Sequence, residues 1–240
     1  MRMWKKPEEP WLHRYFFRIL CILFFFRFFS SVSLASSHFL EERAWKKVLS
    51  FSAVFALDAK IQKIVQKNRS GGLDDLTRIA EKLGNGEIVY PLVGILYLTG
   101  RSTGNKGLIR VTRKALRNMA VTSVVVGGLK WASGRSRPIE GRGPRSFRPF
   151  SGATSFPSGH AALAFSLASA VAEEYPEGYK FFFLPAAVLV AYSRVYTNHH
   201  WASDTLASAL IAGEISRYFS RKTDIVFIVS PGILLVSRAW

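Results

Sequence analysis

Cysteine is nearly absent from this chain of 240 residues: Cys21 stands alone, so neither an intramolecular disulfide nor a thiolate metal centre can be built. Arg18, Ile19 and Leu20 precede it, and the small residue expected just ahead of a lipidated cysteine is missing. Cys21 therefore reads as a small apolar residue of a membrane-inserted segment. Acidic residues are also few, 16 against 33 Lys and Arg, which leaves a net charge of +17. A surface of that sign attracts phosphates, whether of nucleic acid, of anionic head groups or of a phosphorylated substrate. Nucleic acid is disfavoured, because the chain has no zinc-ligand spacing and no aromatic RNA-binding motif, and its aromatics sit in apolar runs. Past residue 36 no apolar run reaches the roughly 20 residues of a perpendicular membrane helix.

What is present is apolar bulk. Apolar residues make up 49% of the chain, 19 of them Phe, and the mean hydropathy is +0.13, so a large core can form and disorder is excluded. Residues 15–35 form an apolar stretch preceded by Arg2, Lys5, Lys6 and Arg14, with Ser33 and Ala35 in the spacing of a cleavable export signal. This segment is either a signal peptide or a first membrane helix, and residues 36–240 are expected to form a single domain. Within it, SGGLDDLTRIAEKLGNG (70–86) predicts a short helix stopped by Gly84, its stripe of Leu73, Leu76, Ile79, Ala80 and Leu83 lying on the membrane interface or, the favoured reading, packing on the core.

Five apolar runs follow, at about 87–100, 118–132, 160–172, 181–197 and 203–217. Together these predict an all-α bundle of about five to six core helices, embedded in a membrane. Arg101, Lys106, Arg110, Arg113, Lys114 and Arg117 cluster between the first two runs, as in a cytoplasmic loop. Counting crossings from there sends the ends near Lys130, His160 and His200 to one opposite face. The last segment, TDIVFIVSPGILLVSRAW (223–240), has Pro-Gly between two short apolar runs and suggests a hairpin or one more inserted segment.

Three polar clusters break the apolar pattern where runs end. In KWASGRSRP, Lys130 and Arg137 are two cations followed by a rigid proline, able to clamp a dianion with a point charge and a planar fork of donors; a solvated basic helix end is the plain alternative. In SFPSGHAAL, Ser158 and Gly159 open a helix whose first N–H groups could receive an anion, with His160 in the first turn. An ordinary N-cap by Ser158 beside an incidental histidine explains the same residues. In SRVYTNHHWASD, His200 and Asp204 are four apart, so on a helix they share a face; a carboxylate there could accept one ring N–H and leave the other nitrogen free to attack. Arg194 heads this cluster, and His199 points elsewhere. Three cations, a helix-start anion site and two histidines together suit phosphoryl transfer.

The clusters resemble the signature of the type 2 phosphatidic acid phosphatase family, K-x6-RP, PSGH and SR-x5-H-x3-D, here Lys130 to Pro138, Pro157 to His160, and Ser193 to Asp204. The resemblance is firm over residues 130–204 and does not reach either end of the chain. It implies a helical bundle and catalysis without a metal or other cofactor. His200 would attack phosphorus to give a phosphohistidine, with Asp204 orienting and charge-stabilising it, and His160 would protonate the leaving oxygen and then activate water. Lys130, Arg137, Arg194, Ser158 and Gly159 would hold the phosphate. The related vanadium haloperoxidases have a longer gap in the first motif, so the six-residue gap here favours a phosphatase.

The expected protein is thus a membrane-embedded lipid phosphate or pyrophosphate phosphatase at the outer face of a bacterial inner membrane. An exported soluble or peripheral acid phosphatase of the same superfamily is the second reading, and a non-catalytic basic membrane or nucleic-acid binding protein the third. Arg142, Arg145 and Arg148, between the first two motifs, could read a second phosphate or simply steer anions.

Overall fold

A computed structural model describes residues 38–221, 225–230 and 233–238. The expected signal peptide or membrane helix over residues 1–35, and the domain boundary at 35/36, lie outside the described residues. The chain divides into residues 1–50 and residues 51–240. Helix α1 (His38–Lys67) runs through the division. In the first unit the described feature is the start of α1, where the Ser50 hydroxyl donates to the Lys46 carbonyl at 2.7 Å.

The second unit is helical. After the rest of α1 come α2 (Gly71–Leu83), α3 (Gly86–Thr103), α4 (Lys106–Ser133), α5 (Gly159–Glu174), α6 (Leu184–Tyr196) and α7 (Ala202–Arg221), with a 3-10 turn at Pro138–Glu140 and short helical turns between α5 and α6. The five apolar runs became α3 to α7, so the all-α expectation stands. Helix α1 was not foreseen. The Asn85 side chain caps α3 by accepting the Glu87 N–H, and Asn105 caps α4 by accepting the Leu108 N–H. These are the side-chain oxygens that helix starts need for their orphan donors.

Helix α5 is central, packing on α4, α6 and α7. Its sequence explains why: Ala161, Ala162, Ala164, Ala168 and Ala170 are buried around the helix, and small side chains admit neighbours on several sides. Val89, Val93, Ala115, Met119, Leu163 and Ala170 form one core cluster across α3, α4 and α5. Ile211, Ile215 and Phe219 of α7 form another with Val121, Val125 and Leu129 of α4.

Two expectations change. On α2 it is Thr77 and Ala80 that are buried, while Leu76, Ile79 and Leu83 are exposed. Helix α2 lies against α6, and of the expected stripe Ala80 is buried while Leu76, Ile79 and Leu83 face outward instead of packing on the core. At the C-terminus, Ile225–Ser230 and Ile233–Arg238 pair antiparallel, Ile225 opposite Arg238. A lone two-stranded pair is marginal by itself, so the expected hairpin gains no support as a stable element. Among the described residues no helix is long and apolar enough to cross a membrane.

Candidate active site

Each cluster sits where a helix begins or ends, at one end of the bundle. Lys130 lies in the last turn of α4, which Gly134 closes with a left-handed φ of 52°. A Cβ at Gly134 would lie 1.6 Å from the Arg148 carbonyl oxygen, so only glycine lets the following loop fold back here. That loop is pinned by the Arg148 N–H on the Gly134 carbonyl at 2.9 Å and the Ser155 N–H on the Arg135 carbonyl at 3.0 Å. Both cations of the first motif meet the loop at Thr154. Lys130 Nζ donates to its carbonyl at 2.5 Å, and Arg137 Nη2 to its hydroxyl at 3.0 Å. Burial, with Arg137 and Arg194 nearby, brings the Lys130 ammonium down to about 8.

Ser158 is the N-cap of α5, its hydroxyl accepting the Ala161 N–H at 3.5 Å. Its backbone joins the second motif to the third: the N–H donates to the Asp204 carbonyl at 3.2 Å, and its carbonyl accepts from the Ser208 hydroxyl at 2.8 Å. His160 stands in the first turn of α5 as expected. Burial, then the Arg194 charge, pushes it down to about 4.

The third cluster is not one helix. Arg194 ends α6, Asn198 takes a left-handed φ of 63°, and Asp204 lies in the first turn of α7, so His200 sits in the connecting turn. The turn holds together because the Arg194 carbonyl accepts both the His199 and His200 N–H groups, at 3.1 and 3.0 Å, and Asn198 Oδ1 accepts from Gln62 Nε2 at 2.6 Å. The expected shared helix face is thereby replaced by a turn that still brings the pair together.

His200 is 3% exposed. Its Nδ1 lies 2.6 Å from the Ser155 carbonyl oxygen and 3.6 Å from Asp204 Oδ2. A carbonyl only accepts, so Nδ1 carries the hydrogen and Nε2 the lone pair. At 3.6 Å Asp204 acts through charge and not through a hydrogen bond, which corrects the expected His-carboxylate bond. Burial outweighs Asp204 and pushes His200 down to about 4, leaving the imidazole neutral near pH 7. Asp204 is fully buried. Burial would raise its carboxyl, yet Arg135, and then His200 and Ser155, bring it down to about 2. Its Oδ1 accepts from Arg135 Nη1 at 2.5 Å, and its Oδ2 from the Ser155 hydroxyl at 2.6 Å and the Trp201 N–H at 2.9 Å.

Arg194 is 4% exposed. One terminal nitrogen pairs with Glu81 of α2, and its buried Nε has no acceptor among the described residues. His199 is half-buried and bonds Thr197 Oγ1 through Nδ1 at 3.0 Å. Arg142 reaches Glu140 at 4.0 Å and remains about half exposed. Among the described residues no three His, Cys, Asp or Glu side chains converge to hold a metal ion.

Sequence reasoning missed Ser155, Glu81, Asp58 and Arg135. Arg135 lies inside the spacer of the first motif, and Asp58 is the one charge within the apolar stretch FSAVFALDA, a signal that could have been read.

The described fold resembles the crystal structure of the first transmembrane PAP2 type phosphatidylglycerolphosphate phosphatase from Bacillus subtilis, with a TM-score of 0.53 and 21% identity over 85% of this chain and 96% of that one. In sequence the chain is 30% identical over 156 residues to a lipid A 1-phosphatase of Porphyromonas gingivalis, matching 61% of this chain but only 32% of that protein. It is 26% identical over 172 residues to an undecaprenyl-diphosphatase of Sulfolobus acidocaldarius, 71% of this chain and 80% of that protein. The family model described as PAP2 superfamily matches residues 113–224, which hold all three clusters.

Proposed function

We propose that this protein is a phosphatase that needs no metal and releases phosphate from a lipid phosphomonoester or pyrophosphate through a phosphohistidine at His200. One observation carries the reading. The imidazole of His200 is buried, neutral and fixed through Nδ1, so that Nε2 keeps its lone pair, with Lys130 and Arg194 within electrostatic reach and the buried Arg194 Nε–H without an acceptor among the described residues.

In the first step the Nε2 lone pair forms a P–N bond as the P–O bond to the leaving group breaks, and His160 gives the leaving oxygen its proton. Lys130, Arg137 and Arg194 hold the phosphate oxygens, together with the N–H groups at the Ser158–Gly159 helix start. A bound dianion opposes the burial and the Arg194 charge that keep His160 neutral in the free protein. Phosphate binding therefore favours the protonated form of His160 that the step needs. In the second step His160 takes a proton from water, whose oxygen attacks phosphorus; the P–N bond breaks and His200 returns to its neutral form.

A lipid substrate is favoured by the outer surface. Ile88, Leu92, Ile95 and Leu98 of α3 are exposed, as are Phe181 and Phe182 before α6. Apolar side chains gathered at this density suit contact with a membrane. The names of the relatives point the same way: lipid A, undecaprenyl diphosphate and phosphatidylglycerol phosphate are all lipid phosphates. We place the protein at the outer face of a bacterial inner membrane.

The test is phosphate release by purified protein from a panel of lipid and soluble phosphates, with EDTA present and absent. Release from a lipid phosphate that persists in EDTA and vanishes in His200→Ala is expected, with an acid-labile phosphoryl group trapped on wild type by rapid quenching. Loss in EDTA, or full activity in His200→Ala, overturns the mechanism. A preference for soluble phosphates in protein extracted without detergent overturns the lipid assignment.

A further inference from the structure

Behind His200 lies a set of buried charges that the three motifs leave without a role. Asp58 of α1, Arg135 and Asp204 are each 0% exposed. Arg135 Nη2 donates to Asp58 Oδ2 at 2.7 Å, and Nη1 to Asp204 Oδ1 at 2.5 Å and to the Ser203 hydroxyl at 2.8 Å. Its Nε and Nη2 also donate to the Pro144 carbonyl, at 3.0 and 2.7 Å. Asp58 Oδ1 accepts the Ser203 N–H at 2.9 Å, and Oδ2 the Ser203 hydroxyl at 2.5 Å. The rings of Phe55, Phe147 and Trp201 stand 5.0, 5.3 and 5.8 Å from the guanidinium carbon. The guanidinium is thus saturated by acceptors and walled by aromatics, which fixes it to one geometry.

The charges do not cancel. Two carboxylates face one guanidinium; burial raises the Asp58 carboxyl while Arg135 and Ser203 oppose it, and with both carboxylates ionised the buried cluster carries one surplus negative charge, an expensive arrangement unless a cation completes it. Lys130 is within electrostatic reach of Asp204, and His200 is a second neighbour able to supply one, because an imidazole that keeps Nδ1–H while Nε2 takes a phosphoryl group becomes cationic.

We propose that Arg135 and Asp58 are positioning residues for His200. Arg135 fixes the Asp204 carboxylate and Asp58 fixes Arg135, so that the surplus negative charge faces the imidazole and stabilises it when phosphorylated. This rests on the reading of His200 as the nucleophile. It adds that the nucleophile is set from α1, outside the residues matched by the family model. A pair that served only to staple α1 to the loop would be expected to affect stability and leave the imidazole alone.

The experiment uses full-length Asp58→Asn and Arg135→Lys, with kcat and KM on the best lipid phosphate of the panel, thermal unfolding, and 15N NMR of histidine-labelled protein. Asp58→Asn keeps an acceptor for the Ser203 N–H and removes the charge, so it is the variant that folds most safely. Both variants are expected to lose about tenfold to a hundredfold in kcat, with KM within about twofold of wild type. The His200 ring resonances should move in both, while those of His199 stay. Unchanged His200 resonances in both variants, or kcat losses that follow unfolding alone, overturn the proposal. The NMR arm answers even for protein without activity, so a failure of the phosphatase reading, seen as no phosphate release or a fully active His200→Ala, is distinct from a failure of this one.

Discussion

The carbonyl oxygen of Ser155 lies 2.6 Å from Nδ1 of His200, a full ångström nearer than Oδ2 of Asp204 at 3.6 Å. Backbone therefore fixes the tautomer, and the carboxylate is left to balance charge. Ser155 does both through different atoms, since its hydroxyl donates to Asp204 Oδ2 at 2.6 Å. Ser155→Ala keeps the carbonyl and removes only the hydroxyl. It should lower kcat by about tenfold with KM unchanged, whereas Asp204→Ala, which strands the buried Arg135, should lose a hundredfold or more (roughly, by analogy with carboxylates behind catalytic histidines). Steady-state kinetics of the two variants decide it. A Ser155→Ala protein as inactive as His200→Ala would place the orienting role on the hydroxyl.

The adjacent histidines separate on the same geometry. The ring of His200 is buried and held by the Ser155 carbonyl, while that of His199 is half-buried and bonds the hydroxyl of Thr197 two residues away. His199→Ala should keep activity within about threefold and His200→Ala should lose it by at least a thousandfold, the usual cost of removing a nucleophile. Comparable losses in phosphate release from both would mean that the nucleophile has been misassigned.

The sequence was most legible where chemistry is bound to spacing. Lys130, His160 and His200 could be placed at one end of the bundle because apolar runs alternate their ends, and the structure brings Lys130 within electrostatic reach of both histidines. The internal logic of the site was less legible. His200 and Asp204 look like a helical pair, but Asn198 in a left-handed conformation ends α6 first, and local spacing cannot reveal which carbonyl a ring nitrogen will meet 45 residues upstream. Asp58 and Arg135 escaped for the same reason, since a contact across 77 residues leaves no periodic trace. The stripe on α2 misled because an apolar face can meet lipid as well as core, and periodicity does not distinguish them.

Burial of Lys130 sets an alkaline limit. Its ammonium is brought down from 10.5 to about 8, so in the free protein it is charged below that pH and neutral above it. Because kcat/KM reports groups of the free enzyme, kcat/KM should fall as pH rises through about 8. A bound phosphate dianion favours the charged form, so kcat should hold to higher pH. Lys130→Arg, which stays protonated throughout, should remove this limb while lowering activity at neutral pH through altered reach. An unchanged alkaline limb in the pH profile of Lys130→Arg would assign it to another group.

Gly134 is where the fold and the site depend on a single hydrogen atom. It closes α4 with φ 52°, and a Cβ there would fall 1.6 Å from the Arg148 carbonyl oxygen, a backbone atom that cannot rotate away. Relief requires the 134–155 loop to lift, and that loop delivers the Thr154 carbonyl to Lys130 and the Ser155 carbonyl to His200. Gly134→Ala should therefore cost about 3 kcal/mol or more and, in whatever protein remains folded, reduce kcat as well. Gly141 supplies the control. It too is left-handed, at φ 67°, but nothing lies within 4 Å of its missing Cβ. Gly141→Ala should pay only the conformational term of about 1 kcal/mol and keep its activity. Thermal unfolding and phosphate release from the two proteins make the comparison, and equal effects would show that the close approach of Arg148 to α4 does not hold in solution.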